Sequence, residues 1–80
     1  MAIKLVFLGR LEDVAGAGER ELALAESLET LLASLEPELA DVLADHRIKL
    51  ARNGELIADR AELVLADGDE LAFLPPVSGG

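Results

Sequence analysis

The chain has 80 residues, of which 51% are hydrophobic, and its 16 acidic and 7 basic residues give a formal net charge of −9. This length fits one small domain with a thin core, so a deep internal active site is not expected. The negative charge disfavours nucleic acid as a ligand, and the absence of cysteine excludes disulfides, thiolate metal sites and cysteine-based catalysis.

Two strands are predicted in the first third of the chain. Residues Ala2–Leu8 form an apolar run with Ile, Val and Phe, which favours a buried strand. Residues Ala15–Gly18 then predict a flexible turn. Polar and apolar residues alternate over Glu19–Ala25, which indicates a second strand.

Two helices are predicted next. Ser27 suits a helix N-cap, because its hydroxyl can accept a bond from a free backbone N–H of the first turn. Leucines then follow at helical spacing and form one apolar stripe: Leu28, Leu31, Leu32 and Leu35. Pro37 ends this helix and predicts the start of a second one, which runs to about Ala44. Its apolar residues are expected to face inward: Leu39, Val42 and Leu43.

The remaining elements are strands joined by tight turns. Ile48–Arg52 predicts a third strand, and Asn53-Gly54 predicts a two-residue turn because both residues tolerate positive φ. Glu55–Ile57 would return from it. Asp67–Asp69 predicts another turn, before a last strand over Glu70–Leu74.

This order of elements predicts an α+β domain of two layers, with helices packed on one face of a mixed sheet of about five strands. The β-grasp (ubiquitin-like) fold has this order, with its first and last strands as parallel central neighbours. We expect the domain to span residues 1–76 and to be followed by a flexible Gly-Gly tail over residues 77–80.

No side chain stands out as a catalytic or metal-binding group. His46 is isolated, so we expect it at a helix end or in solvent rather than in a metal site. Asp67 and Asp69 lack the spaced ligands of a calcium loop and are interpreted as turn residues. No metal and no bound cofactor are expected.

The sequence also predicts where the protein resides. No apolar run approaches the roughly 20 residues that span a bilayer, and the start resembles no secretory leader. A cytoplasmic protein without a membrane partner is therefore expected. Its negative charge fits either solubility alone or attraction to basic partner proteins.

The end of the sequence has features of a tail that is presented to a partner. Pro75 and Pro76 stop the last strand and stiffen the point of exit, since proline cannot donate to a strand ladder. Four residues follow: Val77, Ser78, Gly79 and Gly80. Fully extended, they would reach at most about 13 Å. Two terminal glycines could enter a channel too narrow for other residues, which suits delivery of the Gly80 carboxylate to another protein's active site.

Strand alternation predicts an apolar patch beside this tail. If the odd-numbered residues of the first and last strands face the helices, the outer face carries Val6, Leu8, Ala72 and Leu74. An outer face is usually polar, so this patch indicates a partner interface. The alternative is that the central strands are apolar on both faces or are covered by a loop.

The last fourteen residues, DGDELAFLPPVSGG, resemble the C-terminal signature of molybdopterin synthase small subunits, which belong to the ubiquitin-like sulfur carriers. The opening over Ile3–Phe7 and the turn at Asn53 are similar to the same family. The resemblance covers nearly the whole chain, but only the ending is specific. It implies an apolar partner interface that includes Leu8, Leu56 and Leu74, followed by Pro75 and Pro76.

The resemblance also implies a mechanism. An adenylating partner enzyme would activate the Gly80 carboxylate with ATP and magnesium, and a sulfur donor would convert it to a thiocarboxylate. The tail would then enter the large synthase subunit, in a heterotetramer, and sulfurate the pterin precursor, cyclic pyranopterin monophosphate. This chain would be a co-substrate, with the catalytic residues on the large subunit.

Other functions fit the same ending. Sulfur delivery for thiamine synthesis or tRNA thiolation uses the same chemistry, and a protein modifier would be joined to target lysines through Gly80. A β-grasp interaction module with an inert tail is a further alternative. The partner that binds the tail would separate these possibilities.

Overall fold

The computed structural model describes residues 1–76, so the predicted tail positions Val77, Ser78, Gly79 and Gly80 lie outside the described residues. The described part of the chain contains five strands: β1 (Ala2–Phe7), β2 (Glu19–Ala23), β3 (Lys49–Arg52), β4 (Glu55–Leu56) and β5 (Glu70–Leu74). Its helices are α1 (Leu11–Ala15), α2 (Leu28–Ala33) and α3 (Pro37–Ala44), with a 3₁₀ turn at Arg60–Glu62.

The five strands form one mixed sheet in the order β2-β1-β5-β3-β4. The strands β1 and β5 pair in parallel as central neighbours, and every other pairing is antiparallel. The predicted β-grasp topology is therefore confirmed. The parallel pair brings the start of the chain beside the last strand, so both contribute to the surface from which the tail leaves.

The core lies between one face of the sheet and the helices. The inward side chains of β1 and β5 are at most 1% exposed: Ile3, Leu5, Phe7, Leu71 and Phe73. The rings of Phe7 and Phe73 sit on paired positions and stack with their centroids 6.0 Å apart. Burying aromatic rings contributes strongly to a small core, which holds the two central strands in one register.

The predicted helical features are confirmed. The Ser27 hydroxyl accepts a bond of 3.1 Å from the backbone N–H of Thr30, and Pro37 occupies the first turn of α3. The predicted leucine stripe is buried, as are Leu39 and Leu43, while Val42 is half-buried. These two short helices thus owe their stability to packing as much as to local propensity.

The two predicted turns are linked to each other. Asn53 and Gly54 adopt positive φ of 51° and 86°. The Asn53 side chain donates to Asp69 at 3.0 Å and accepts from the backbone N–H of Glu70, while Asp69 also accepts from Ala66 N–H. These bonds hold the pKa of the buried Asp69 carboxyl below its ordinary value. Asp67 and Asp69 are turn residues, as predicted.

Two short elements of the structure were not predicted from the sequence. Helix α1 was not predicted, because it is short and has no side-chain cap; it forms where Leu11 and Ala15 pack into the core. The 3₁₀ turn was also not predicted. There the Arg60 guanidinium donates to the carbonyls of Leu43 and Ile48 at 2.8 and 2.7 Å, which ties the turn to the α3–β3 connection. Burial lowers the pKa of Arg60.

Strand boundaries also differ slightly. Four strands are each one or two residues shorter than predicted: β1, β2, β3 and β4. Apolar residues continue beyond the ends of these strands, so the apolar pattern alone predicts strands that are too long. Across residues 1–76, no helix has the length and apolar character that crossing a bilayer requires.

Candidate functional site

The base of the tail is fixed by contacts to the loop that follows β1. The backbone N–H of Leu8 donates to the Phe73 carbonyl at 3.1 Å, which extends the parallel ladder beyond β1. Gly9 then turns with φ of +55° and lies against Pro75. Prolines lack the N–H that would continue the ladder, so β5 ends at Leu74. The geometry defines a stem, Leu74–Pro76, that leaves the sheet at a fixed place.

One face of the sheet carries no helix and is apolar beside this stem. Val6 pairs with Ala72, Ala72 pairs with Ala51, and Ala51 pairs with Leu56, so these four side chains form a row across four strands. The patch of Val6, Leu8, Leu56, Ala72 and Leu74 is called the outer patch below. The predicted apolar outer face is thus present; in this row Ala51 is buried at 8% exposed, and Val6 and Ala72 are half-buried.

The members of the outer patch differ in exposure. Leu8 is 40% exposed and Leu56 is 66% exposed, whereas Leu74 is half-buried. The structure brings Leu8, Leu56 and Leu74 to one face, and Pro75 and Pro76 follow directly from it; that these residues form a partner interface stays a prediction. Exposed leucines that lie together on one face of a sheet are typical of a surface that a partner covers.

The other end of this face is polar. Lys4 pairs with Glu70 across the β1–β5 ladder and forms an ion pair of 3.4 Å with Glu19. The end of the face around Lys4 and Glu70 is thus charged and is called the charged end below, while at the other end the apolar side chains of Val6 and Leu74 pair with Glu19 and Lys49. The stem leaves the sheet at the end opposite Lys4 and Glu70, beside the outer patch.

A shallow cleft of about 270 Å³ lies on the helix side of the stem, next to Pro76. It is lined by Arg10, Leu11, Val14, Val42, Asp45, Arg47 and Ile48. The Arg47 guanidinium donates two hydrogen bonds to the Asp45 carboxylate, of 2.9 Å from Nη2 and 3.2 Å from Nε. This pair holds the pKa of the Asp45 carboxyl well below its usual range and raises the pKa of Arg47. Both side chains are therefore charged at neutral pH and suit binding rather than proton transfer.

Internal side chains offer little chemistry within residues 1–76. His46 is 95% exposed, with its ring 3.8 Å from Asp45. No three His, Asp or Glu side chains come together there as metal ligands. Each buried side-chain nitrogen or oxygen in that range has a hydrogen-bond partner. The features that distinguish this molecule are thus the stem and the outer patch.

Three residues at the stem were not identified from the sequence. Gly9 contacts Pro75, Arg10 lines the cleft, and Lys49 lies directly opposite Leu74 in the β3–β5 pairing. The glycine after an apolar strand was the available signal for the first. Nothing local marks Arg10 or Lys49, since their nearness to the stem depends on strand pairing.

The ThiS family model matches residues 5–80, which is nearly the whole chain. The chain belongs to the ThiS family. This ThiS-family protein is 32% identical to the molybdopterin synthase sulfur carrier subunit of Chlamydomonas reinhardtii, with 100% of both chains covered. The resemblance that the C-terminal signature indicated is thereby confirmed.

Solved structures of similar proteins have the same fold. The small archaeal modifier protein 1 of Methanosarcina acetivorans is 31% identical, with a TM-score of 0.80 over 99% of this chain and 96% of that one. A subunit in the complex of subunits 1 and 2 of molybdopterin-converting factor from Helicobacter pylori 26695 is 29% identical, with a TM-score of 0.72 and full coverage of both chains. The β-grasp assignment agrees with both.

Proposed function

We propose that this ThiS-family protein is the sulfur carrier subunit of a molybdopterin synthase. The observation that carries the proposal is the fixed stem, which leaves the sheet beside the exposed outer patch. The similarity to sulfur carrier subunits over the full chain supports it. In this function residues 1–76 are the docking domain and residues 77–80 are the tail that reaches the partner's active site.

The reacting group in this proposal is the Gly80 carboxylate. An adenylating enzyme transfers AMP from ATP, with magnesium, to one carboxylate oxygen and releases pyrophosphate. A sulfur donor then displaces AMP and leaves a Gly80 thiocarboxylate. Its sulfur is a better nucleophile than a carboxylate oxygen and attacks cyclic pyranopterin monophosphate. Water then cleaves the bond between the sulfur and the Gly80 carbonyl carbon, which leaves the sulfur on the pterin and regenerates the Gly80 carboxylate. Two such transfers supply both sulfurs of the dithiolene that holds molybdenum.

The proposal needs two protein partners. The first is a large synthase subunit, which the Helicobacter pylori complex of subunits 1 and 2 supports by analogy. Two copies of each subunit would form a heterotetramer. The second is the adenylating enzyme. Both must hold the same short tail, so we propose that each covers the outer patch in turn. A cytoplasmic site of action stays a prediction.

A protein modifier is the second candidate. The similarity to small archaeal modifier protein 1 favours it, because that protein shares fold and full-length sequence similarity with this chain. In that function Gly80 would be joined to lysines of target proteins after the same adenylation. Sulfur carriage for thiamine synthesis or tRNA thiolation would differ only in the acceptor.

Mass spectrometry of the protein isolated with its activating system tests the proposal. We expect one oxygen to be replaced by one sulfur, with the change confined to the C-terminal peptide. Deleting Gly80, or adding one residue after it, should abolish the change and stop sulfur transfer to the pterin precursor, with thermal stability kept. Sulfur on an internal peptide, or pterin sulfuration by the variant without Gly80, would overturn the proposal. A ladder of conjugates without a thiocarboxylate would favour the modifier.

A further inference from the structure

Two basic side chains differ from the rest in having no partner among residues 1–76. The chain has 7 basic residues. Five of them donate to carboxylates or to backbone carbonyls: Lys4, Arg20, Arg47, Arg52 and Arg60. Within the described residues no ion pair or hydrogen bond is made by the side chains of Arg10 and Lys49.

Both of these residues flank the stem. Arg10 directly follows Gly9, which contacts Pro75, and lines the cleft beside Pro76. Lys49 lies opposite Leu74 on the outer face of the sheet. One cation therefore stands on the helix side of the stem and the other on the outer side. The pair Arg10 and Lys49 is called the basic collar below.

The position of the basic collar restricts what can cover it. A partner that buries the outer patch also approaches Lys49, which neighbours Leu74 across the strands. Removing a cation from water is costly unless an opposite charge or hydrogen-bond acceptors replace the water. A partner that binds here must therefore supply acceptors at this place.

We propose that the basic collar pairs with carboxylates at the mouth of the channel through which a partner protein receives the tail. The inference rests on the proposed function and adds the chemistry of the partner's surface to it. Arg10 and Lys49 are positioning residues in this proposal. They orient the stem over the channel before the tail enters.

The length of the tail separates the basic collar from the reacting group. Four residues in extended form span about 13 Å. When the tail is extended into a narrow channel, the collar is at the entrance while Gly80 is at the far end. The cations therefore meet the partner's entrance and not its nucleotide or its pterin substrate.

The net charge of the chain also bears on the surface of the partner. The chain as a whole carries −9, so a partner that is attracted to it is basic over most of its facing surface. Arg10 and Lys49 place two positive charges beside the stem, in contrast to this overall sign. A partner with carboxylates only at its channel mouth would match both regions, and such a pattern fixes one docking orientation and raises the association rate.

Charge reversal tests the inference. Arg10→Glu, Lys49→Glu and the double variant are compared with Lys4→Glu, which makes the same change at the charged end of the same face. Association with the purified large subunit and with the adenylating enzyme of the source organism is measured by stopped flow from low to high salt. We expect the double variant to associate with at least one of the two about tenfold more slowly at low salt, with the difference vanishing at high salt.

Further variants separate charge from structure. The exchange of Arg10→Lys with Lys49→Arg should keep the wild-type rate, and thermal unfolding of all collar variants should match wild type because both side chains are exposed. Replacing an acidic residue at the partner's channel mouth with Lys should restore fast association with the double variant. If the collar variants and Lys4→Glu behave alike toward both partners, the inference fails while the proposed function stands.

Two other outcomes overturn the inference on different grounds. If wild type binds neither partner, the proposed function fails and the inference fails with it. If the wild-type protein sediments as a dimer in the absence of any partner, and the collar variants sediment as monomers, the carboxylates belong to a second copy of this acidic chain. Each result is read from a separate measurement, so the three causes of failure are distinguishable.

Discussion

Gly9 lies so close to Pro75 that a Cβ atom built on Gly9 would stand 3.1 Å from the Cγ atom of the proline ring. The backbone of Gly9 also has φ of +55°, which side-chain-bearing residues rarely adopt. The glycine therefore serves two purposes: it turns the chain after β1 and lets the stem pack against the turn.

Gly9→Ala is expected to destabilise the fold by about 1 kcal/mol through its positive φ and to displace Pro75. Gly16→Ala is the matched control, since Gly16 has φ of +80° with open space around its missing Cβ. Both variants should unfold at lower denaturant concentration than wild type. Only Gly9→Ala should also weaken partner binding, because only it moves the stem. Equal partner binding by the two variants would contradict this role.

Leu74→Glu is expected to weaken both the large subunit and the adenylating enzyme while the fold is kept. Leu74 is half-buried on the outer patch at the start of the stem, so a charge there would be buried in either complex. Val64→Glu is the control, since Val64 is 73% exposed in the loop before β5 and not on the sheet face. Calorimetric titration of both partners gives the measurement. Loss of one partner with full affinity for the other would argue against a shared surface.

Gly79→Ala is expected to slow sulfur transfer at least about tenfold, because small misplacements near a reacting group are costly. The added methyl group must enter the partner's channel, and it restricts the backbone. Ser78→Ala is the control, because it removes a hydroxyl without adding bulk. Single-turnover consumption of the thiocarboxylate measures both. A Gly79→Ala protein with wild-type turnover would show that the channel is wider than proposed.

Asp69→Asn is expected to lower stability at neutral pH more than at acidic pH. Hydrogen bonds from Asn53 and from the backbone of Ala66 hold the folded-state pKa of Asp69 below its ordinary value. The charged form therefore stabilises the fold above about pH 4, and this contribution is lost as the pH falls through the lowered pKa. Denaturation at pH 7 and at pH 3 should show the difference from wild type shrinking. A difference of equal size at both pH values would contradict the assignment.

Local chemistry explains which parts were predictable from the sequence. The Ser27 cap, the start of α3 at Pro37 and the turn at Asn53-Gly54 each depend on residues a few positions apart. Alternation along β1 and β5 likewise predicted the buried and outer faces, because side chains alternate in any strand. The prolines and glycines at the end of the chain could also be interpreted from the sequence, because proline restricts the backbone and glycine frees it in any context.

Tertiary structure decided what local patterns could not contain. Helix α1 has five residues and no side-chain cap, so local sequence alone does not stabilise it. The packing of Leu11 and Ala15 into the core stabilises it instead. The contact of Gly9 with Pro75 and the place of Lys49 opposite Leu74 follow from strand pairing between distant parts of the chain. The sequence by itself determined the type of the elements and the chemistry of the tail. Which side chains surround the stem was decided only by the tertiary structure. Strands that are distant in sequence pair there, and the burial of one face of the sheet in the core fixes their register.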